Sequence, residues 1–261
     1  MAELNGLFPS LLAGLQLVAL LMLLVWLASV FLGNVSIIDL FWGPAVAVAG
    51  TVYWVWADAP GARGTLILVL VWAWALRLGI YLTSRNAGKP EDRRYADMRR
   101  RHDPGFWLKS LYLVFALQAV LAWIISLPLF GAMQGTTPLG LLDYLGTAVF
   151  LFGLLWESLA DFQLARFLRM RTSQDAVLDT GVWRYSRHPN YFGEFALWWG
   201  LWLIAAAGGA WWTIISPLLL SFLLLKVSGV AMLEKDIAER RPAYRDYIRK
   251  TSAFFPRLPT D

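Results

Sequence analysis

Seven long apolar stretches, separated by short polar segments, constrain this chain more than any other feature of its sequence. A helix needs about 20 mostly apolar residues to cross a bilayer, and each stretch has about that length. The stretches cover about 9–33, 36–57, 64–84, 107–131, 139–160, 190–209 and 211–232. Only 16% of the residues are charged, whereas a soluble domain has about 25%. The sequence therefore predicts an all-α integral membrane protein with seven transmembrane helices.

The basic residues are concentrated in three of the segments between these stretches. All but three of the 23 Lys and Arg residues lie within 85–109, 166–187 or 235–257. Because basic loops tend to stay in the cytoplasm, the pattern predicts an outside N-terminus and a cytoplasmic C-terminus, in a bacterial inner membrane. Orientation and attraction to anionic membrane lipids explain part of the pattern. A cytoplasmic site for an anionic ligand is the alternative explanation.

Composition excludes several other classes of site. The chain has no cysteine, which excludes disulfides, thiolate nucleophiles and cysteine-based metal sites. Its two histidines, His102 and His188, are too few for a His-rich site, so we expect no metal. The net charge of +5 has no nucleic-acid-binding motif beside it, so we expect no nucleic-acid partner. The first apolar stretch is too long for a signal peptide, and no small-residue cleavage site follows it.

A few charged residues lie inside the apolar stretches, where charge is costly and usually faces the interior of a helix bundle. Asp39 begins the second stretch, where the helix dipole or a functional role explains it. Arg77 lies deeper, in the third stretch, and an acidic partner or a ligand explains it equally well. It shares one helical face with Trp74, Tyr81 and Arg85.

The end of the fifth stretch holds two acidic residues, Glu157 and Asp161, one helical turn apart. Like charges at this spacing repel each other, so we expect cations or a polar ligand nearby. Arg166, Arg169 and Arg171 follow closely and are candidates for those cations.

The densest group of polar residues is the segment 181–194. A proline within it suits the first turn of a helix, so the segment is predicted to be a loop that leads into the sixth stretch. A helix N-terminus flanked by Arg184 and Arg187 suits an anion. Asn190 and Glu194, one turn apart, suit hydrogen bonds to a ribose or an amide.

The C-terminal basic segment is predicted to be an amphipathic helix that ends before Pro256. Two functions are open for it. It either binds the membrane surface or closes over a cytoplasmic pocket.

Three parts of the sequence are similar to one family of membrane enzymes. They are Ser36-Ile-Ile-Asp-Leu-Phe-Trp-Gly43, Arg85-Asn-Ala-Gly-Lys-Pro-Glu-Asp-Arg-Arg-Tyr95, and Gly181-Val-Trp-Arg-Tyr-Ser-Arg-His-Pro-Asn-Tyr-Phe-Gly-Glu194, the last followed by Glu234 and a Pro-x-Tyr-x-x-Tyr…Phe-Phe-Pro tail. With these parts the chain resembles the steroid 5α-reductase C-terminal family, and more closely its bacterial branch DUF1295, over essentially its whole length. The Arg-His-Pro-x-Tyr core alone is less specific, because isoprenylcysteine carboxyl methyltransferases have a similar one.

The resemblance implies one seven-helix membrane domain, 1–261, with substrate-side helices at about 9–131 and a cofactor half at about 139–261. It also implies NADPH as cofactor and reduction of a C=C bond conjugated to a ketone in a lipophilic, steroid-like enone from the bilayer. No Gly-x-Gly-x-x-Gly motif occurs in the chain, which excludes a Rossmann site. We expect a monomer surrounded by membrane lipids.

The resemblance also implies which residues contact the cofactor. They are Arg77, Arg85, Asn86, Asp161, Arg169, Arg171, Tyr185, Arg187, His188, Asn190, Tyr191, Glu194, Glu234, Tyr244 and Arg245. Trp42 and Trp74 are expected to contact the substrate, Trp74 at the position where animal steroid reductases have a tyrosine.

The substrate half departs from the animal enzymes, which hold the enone carbonyl with a Gln-Glu pair in the second span. That pair does not occur here, and Asp39 is the only acid in the second stretch. We therefore predict that Asp39, with Tyr81 or Tyr53, polarises the carbonyl as negative charge develops on it. A carboxyl group in a low-dielectric site can stay protonated at neutral pH.

Two other functions are open from the sequence. A methyltransferase that uses S-adenosylmethionine on a prenyl or lipid substrate shares the Arg-His-Pro motif and the C-terminal Glu, although many arginines suit a phosphate-rich ligand better than a sulfonium. A non-catalytic lipid-binding membrane protein is the third class, and it predicts no affinity for a cofactor.

Overall fold

The computed structural model of this protein describes residues 2–57, 60–171, 173, 175–227, 229–234, 237 and 244–259, with side chains from residue 8 onward. Within these ranges the regular structure is entirely helical, which confirms the all-α prediction. Lys235, Arg240 and Arg241, part of the last basic segment, lie outside the described residues. The chain divides into two compact units. Unit 1 comprises Met1–Gly140 and Ala205–Thr213, and unit 2 comprises Leu141–Ile204 and Ile214–Asp261.

Unit 1 is built from the first three predicted apolar stretches, the polar segment after them, and the fourth stretch. Its helices are α1 (Ala2–Leu32), α2 (Ile38–Trp56), α3 (Ala62–Asn86), α4 (Arg93–His102), α5 (Phe106–Ser110), α6 (Leu117–Ile125) and α7 (Leu127–Met133). A π-helical stretch, Leu111–Ala116, joins α5 to α6, so the fourth apolar stretch is helical along nearly all of its length.

Helices α2 and α3 form a close hairpin. Gly43 makes this possible, because a Cβ atom there would lie only 3.0 Å from the Cα atom of Ala75. The short connection between the helices makes them antiparallel. Asp39 and Tyr81 therefore lie at one end of the hairpin, and Tyr53 lies toward the other end.

Unit 2 contains the fifth, sixth and seventh predicted stretches and the C-terminal segment. Its helices are α8 (Leu141–Met170), α9 (Pro189–Ala207), α10 (Ile215–Phe222), α11 (Val230–Glu234) and α12 (Tyr244–Lys250). Helix α8 continues well past the end predicted near residue 160, because Leu164 still packs against the buried cluster of Ala160, Val182 and Trp183. As a result Asp161 lies on the helix itself, as do the basic residues directly after it.

Four glycines let α8 and α9 pack with their backbones in contact. Gly146 and Gly153 lie seven residues apart on α8, and Gly193 and Gly200 lie seven apart on α9, so each pair shares a helical face. A Cβ atom on Gly153 would lie 2.6 Å from the Gly193 carbonyl oxygen, and one on Gly146 would lie 2.7 Å from that of Gly200. Small residues at such interfaces are typical of membrane helices. The seam brings the acidic end of α8 against the first turn of α9.

Within the part of the chain that the structure describes, six helical regions are long and apolar enough to cross a membrane. They are Phe8–Leu32, Val35–Trp56, Ala62–Asn86, Phe106–Met133, Leu141–Met170 and Trp211–Glu234. These regions support the prediction of a multi-pass membrane protein. The remaining predicted stretch, 190–209, forms α9, which is not one of these six regions.

Candidate functional site

The loop between α8 and α9 is fixed at its start by contacts with α8. Gly181 has a φ of +62°, and a Cβ atom there would lie 2.4 Å from the Gln163 amide group, so both backbone and space require glycine. The Gln163 side-chain oxygen accepts a hydrogen bond from the Val182 N–H at 3.0 Å. The Trp183 indole donates to the Ala160 carbonyl at 3.1 Å. The loop is therefore held against α8 before it enters α9.

Arg187 in this loop binds the end of α11 and the C-terminal segment. Its Nε and Nη2 atoms each donate to a different Glu234 carboxylate oxygen at 2.7 Å. Its Nη1 atom donates to the Ile248 carbonyl at 3.1 Å and to the Thr251 carbonyl. A guanidinium group has five N–H donors, so most of its bonding capacity is used inside the protein. Burial lowers the pKa of Arg187, but the hydrogen bonds with Glu234 outweigh burial and raise it above its usual value.

His188 belongs to the same network. Its Nε2 atom lies 2.9 Å from a Glu234 carboxylate oxygen, and its ring stacks on that of Tyr191 with centroids 5.6 Å apart. Next to it, the Ser186 hydroxyl donates to the Phe254 carbonyl at 2.8 Å. One carboxylate, on Glu234, therefore holds two neighbouring residues of the loop, and the C-terminal tail is tied to the same loop.

Tyr247 on α12 completes this group, which we call the unit 2 network: Arg187, His188, Glu234 and Tyr247. The Tyr247 hydroxyl donates to the carbonyls of Trp183 and Ser186. Burial raises the pKa of Tyr247 well above its usual value, so it acts as a neutral donor. The buried face of α12 explains why a segment so rich in charge packs against the protein.

The unit 2 network changes how three predicted cofactor contacts are interpreted. The structure does bring Arg187, His188 and Glu234 together, as the prediction expected of one site. However, the three side chains satisfy one another, and Arg187 is only 7% exposed. Their geometry is that of an internal support for the loop, which differs from the open anion-binding group that the sequence suggested for Arg187.

A second polar group lies at the end of the α8–α9 seam. The Asn190 amide donates to an Asp161 carboxylate oxygen at 3.4 Å, which brings together two residues that were each predicted to contact the cofactor. Asp161 and Glu157 are 4% and 3% exposed, and a Cβ atom on Gly193 would touch Glu157. Glu194 lies one turn beyond Asn190 and is half-buried. Carboxylates and an amide in this arrangement can bind hydroxyl or amide groups of a ligand.

Several arginines of unit 2 lie close in sequence to this polar group. Arg166, Arg169 and Arg184 are exposed. Arg171 is half-buried, and its Nη1 atom is buried with no hydrogen-bond partner among the residues that the structure describes. A buried guanidinium nitrogen of this kind favours an anionic ligand, because an unpaired charged donor is costly.

The other residues of unit 2 predicted to contact the cofactor are placed as follows. Tyr185 is exposed, and its carbonyl accepts a hydrogen bond from the Arg257 N–H at 3.0 Å. Tyr244 is buried edge-on against Tyr247 with centroids 5.1 Å apart. Arg245 points to the exposed side of α12.

In unit 1, Asp39 does not face an open cavity but pairs with the segment around α4. One of its carboxylate oxygens accepts a hydrogen bond from Arg94 Nη2 at 2.6 Å, and the other accepts one from the Tyr95 hydroxyl at 2.6 Å. Gln118 donates to the same hydroxyl at 3.4 Å. Burial and the neighbouring Asp39 charge raise the pKa of Tyr95 well above its usual value. Asp39 is therefore held between a guanidinium and a neutral phenol.

Glu91, through its carboxylate, and Asp92, through its backbone N–H, tie the same segment to the corner between α1 and α2. Glu91 accepts hydrogen bonds from Arg99 at 2.8 and 3.0 Å and from the Val35 N–H at 2.8 Å. Burial raises the pKa of Glu91, but these hydrogen bonds outweigh it and leave the pKa below its usual value. The Asp92 N–H donates to the Ser36 hydroxyl at 2.6 Å. We call Asp39, Glu91, Asp92, Arg94, Tyr95 and Arg99 the unit 1 network.

The structure separates the predicted carbonyl-polarising residues. Asp39 and Tyr53 are 14 positions apart on one helix, which corresponds to about 21 Å at 1.5 Å per residue. Tyr53 bonds to the Ser126 hydroxyl at 3.0 Å. The alternative in which Tyr53 assists Asp39 is therefore wrong on distance, and Tyr81, at the same end of the hairpin as Asp39, is the remaining partner.

The other predicted residues of unit 1 lie on α2 and α3 or at the end of α3. Trp74 is fully buried and Trp42 is half-buried. The Arg85 guanidinium lies 5.7 Å from the centroid of the Tyr81 ring, and its Nε atom donates to the Asn86 side-chain oxygen at 3.1 Å. Arg77 on α3 has buried side-chain nitrogens.

Sequence reasoning missed the partners of Asp39. Arg94 and Tyr95 lie in a block that was recognised only for its resemblance, and Gln118 lies in an apolar stretch. A charged residue at the end of a span needs a partner. This rule, applied to Asp39 and the many arginines of the next polar segment, is the signal that could have found them.

Comparisons with known proteins give a family but no solved fold. A family described as "Protein of unknown function (DUF1295)" matches residues 25–251. The uncharacterized protein C594.04c of Schizosaccharomyces pombe is 26% identical over 278 aligned positions, which cover 94% of this chain and 79% of that protein. No solved structure matches.

Proposed function

Because the chain belongs to the DUF1295 family, which matches most of its length, we propose that it is a membrane-embedded, NADPH-dependent reductase of a C=C bond conjugated to a ketone. The substrate class we propose is a lipophilic, steroid-like enone from the bilayer. The observation that supports it best is the polar group at the end of the α8–α9 seam, where Asp161 and Asn190 meet. Arginines follow closely in the sequence, and among them Arg171 has a buried Nη1 atom with no hydrogen-bond partner among the described residues.

The proposal includes a topology. With α9 counted as a span, seven helices cross the bilayer, the N-terminus is outside, and the C-terminus is in the cytoplasm of a bacterial cell. Concentration of the basic residues in three segments supports this orientation. The arginines at the end of α8 and in the following loop then face the compartment that contains nucleotide cofactors.

The residues of unit 2 fit a dinucleotide with several phosphates. Arg171, whose Nη1 atom is buried without a partner among the described residues, and the exposed Arg169 would hold phosphate oxygens as charge-assisted donors. Asp161, Asn190 and Glu194 would bind ribose hydroxyls or the carboxamide. NADPH, when bound, supplies a hydride to the substrate. The unit 2 network keeps the loop before Asn190 in place and so orients that group.

In the proposed reaction Tyr81 donates a hydrogen bond to the carbonyl oxygen of the enone. Such a donor stabilises the negative charge that develops on this oxygen during reduction. Asp39 is held by Arg94 and Tyr95, so in this arrangement it orients the end of the hairpin on which Tyr81 lies.

The test compares reduction with methyl transfer. Purified protein in detergent is incubated with a 3-oxo-4-ene steroid and either NADPH or S-adenosylmethionine, and the products are analysed by mass spectrometry. The proposal predicts a product that has gained two hydrogens, formed only with NADPH. Asp161→Asn should reduce the rate at least about tenfold, the cost of roughly one hydrogen bond to a charged group. Asp246→Asn, an equivalent change at a residue whose side chain is 71% exposed, is the control.

A product that has gained a methyl group, formed with S-adenosylmethionine alone, would contradict the proposal. It would assign the chain to the second enzyme class, which shares the Arg-His-Pro motif.

A further inference from the structure

Unit 1 contains a cavity of about 240 Å³ where α1 and α3 end and α2 begins. Its polar lining includes Asn34, Thr83, Asn86, Lys89 and Asp92, and apolar side chains of α2 form part of the wall. The cavity shares no residue with the polar group of unit 2. Its chemistry depends on which of these polar atoms are already bonded within the protein.

Both amides on the cavity wall have their oxygen atoms occupied. The Asn34 side-chain oxygen accepts a hydrogen bond from the Ser36 N–H at 2.9 Å, and the Asn86 oxygen accepts one from Arg85 Nε at 3.1 Å. The two NH₂ groups are the parts of these amides that make no hydrogen bond with the residues that the structure describes. Each of them donates hydrogen bonds and accepts none.

Asp92 supplies the one carboxylate among the described residues that line the cavity, and Arg94 binds it. One Asp92 oxygen accepts hydrogen bonds from the Arg94 backbone N–H and from its Nε atom, both at 2.9 Å. The other oxygen lies 3.4 Å from Arg94 Nη2. Arg94 also binds Asp39, and Arg85 places a second positive charge near Asp92, so two cations offset the two carboxylates.

The remaining polar groups on the wall are donors too. Lys89 Nζ and the Thr83 hydroxyl are exposed and have no partner among the residues that the structure describes. An ammonium, a hydroxyl and two NH₂ groups together suit a ligand with several acceptor oxygens and a negative charge. Phosphate is the common group of that kind, and lysine binds it as a point charge.

The position of the cavity favours a lipid over a soluble phosphate compound. Phe31, in the last turn of α1, is 88% exposed, and Ile80, one turn before Thr83 on α3, is 70% exposed. These exposed apolar side chains are suited to acyl chains. The volume is below the roughly 300–1,000 Å³ of pockets for drug-sized ligands, and is therefore small for a dinucleotide but sufficient for a headgroup.

We propose that this cavity binds the phosphate group of a membrane glycerophospholipid, with the acyl chains along the exposed sides of α1 and α3. Basic pockets at the ends of transmembrane helices bind lipid headgroups in this way. The proposal concerns only unit 1 and a ligand that is not consumed, and it assigns Asn86, which the resemblance assigns to the cofactor, to the lipid headgroup.

The experiment measures binding of dihexanoyl-phosphatidylglycerol to the full chain by native mass spectrometry in detergent. Lys89→Gln and Thr83→Val each remove one donor at an exposed position, so both variants should fold. Arg101→Gln is the control, because it removes the same charge at another exposed residue of the same polar segment. We expect one bound lipid in the wild type and in the control, and affinity about tenfold lower in Lys89→Gln, as expected for loss of one charge-assisted hydrogen bond.

Two results would overturn the proposal. The first is equal lipid affinity in Lys89→Gln, Thr83→Val and the control. The second is binding of inorganic phosphate or NADPH that displaces the lipid from the wild type and is itself lost in Lys89→Gln, which would assign the cavity to a soluble phosphate compound.

Discussion

The unit 1 network and the unit 2 network have the same function in the fold, but they differ in how deeply their side chains are buried. Each fastens a polar segment to apolar helices with arginines that bind carboxylates. In unit 1, three carboxylates share the task, and the Arg94 side chain is 37% exposed. In unit 2, the single carboxylate of Glu234 holds both Arg187 and His188, and the Arg187 side chain is 8% exposed.

This difference in burial indicates where a substitution destabilises the protein most. A partly exposed network keeps access to water, so loss of one member is compensated by solvent and by its neighbours. A buried pair has no such compensation, because removal of one partner leaves an unpaired charge in a poorly solvated place. We therefore expect the loop before α9, which orients Asn190, to depend on one side chain, Glu234.

The largest effect is expected for Glu234→Gln. Breaking a buried ion pair costs about 3–5 kcal/mol, and this change leaves the Arg187 charge without its carboxylate. We expect a decrease of about 3 kcal/mol in the free energy of unfolding, measured in detergent from tryptophan fluorescence. The double variant Arg187→Met, Glu234→Leu should lose less than the sum of the single changes. Additive losses would show that the two side chains do not act as a pair.

An intermediate effect is expected for Asp39→Asn. A hydrogen bond to a charged group contributes about 1.5–3 kcal/mol, and Arg94 keeps Asp92 as a partner after the change. We expect a loss of about 2 kcal/mol, together with faster proteolysis within 87–105. Tyr95→Phe, which removes only the hydroxyl, should cost about 1 kcal/mol. A larger loss for Tyr95→Phe than for Asp39→Asn would contradict the proposed order of these contacts.

A smaller, pH-dependent effect is expected for Glu91. The pKa of Glu91 is lowered in the folded protein, so its contribution is complete above the ordinary value of about 4.3. It is lost as the pH falls through the folded pKa, because protonation removes the charge that Arg99 binds. The wild type should therefore be more stable than Glu91→Gln at pH 7, and the gap in melting temperature should close toward pH 3. A gap that widens as the pH falls would contradict this sign.

The smallest effect is expected for a surface pair. Arg249 and Asp246 are 74% and 71% exposed, and exposed ion pairs contribute about 0–1 kcal/mol. Arg249→Gln should change the free energy of unfolding by less than about 0.5 kcal/mol. A loss as large as that of Glu234→Gln would show that burial does not determine how much an ion pair contributes to the free energy of unfolding.

The sequence predicts well those features that depend on a single helix. Apolar length predicts the long helices, and the proline at 189 correctly predicts the start of α9. Helical spacing predicts that Asn190 and Glu194 share a face. The seven-helix count, the orientation and the NADPH assignment stay predictions, because apolar length and charge pattern report no ligand and no membrane side.

The sequence predicts poorly which distant side chains pair. Glu234 lies 47 positions from Arg187, and nothing in either segment shows that a carboxylate occupies this guanidinium where a phosphate was expected. The same chemistry that binds an anionic ligand also binds Glu234, so only the folded geometry distinguishes the two. The Asp39 contacts were missed for the same reason.

The measurement that tests the central claim most directly is a binding titration of NADPH against the purified full chain. The wild type should bind NADPH with one site per chain, detected by a change in tryptophan fluorescence, while S-adenosylmethionine should cause no saturable change. Arg171→Gln should weaken NADPH binding about tenfold, whereas Arg249→Gln should bind like the wild type. No saturable binding of NADPH to the folded wild type, or equal affinity in Arg171→Gln and Arg249→Gln, would contradict a cofactor site in unit 2.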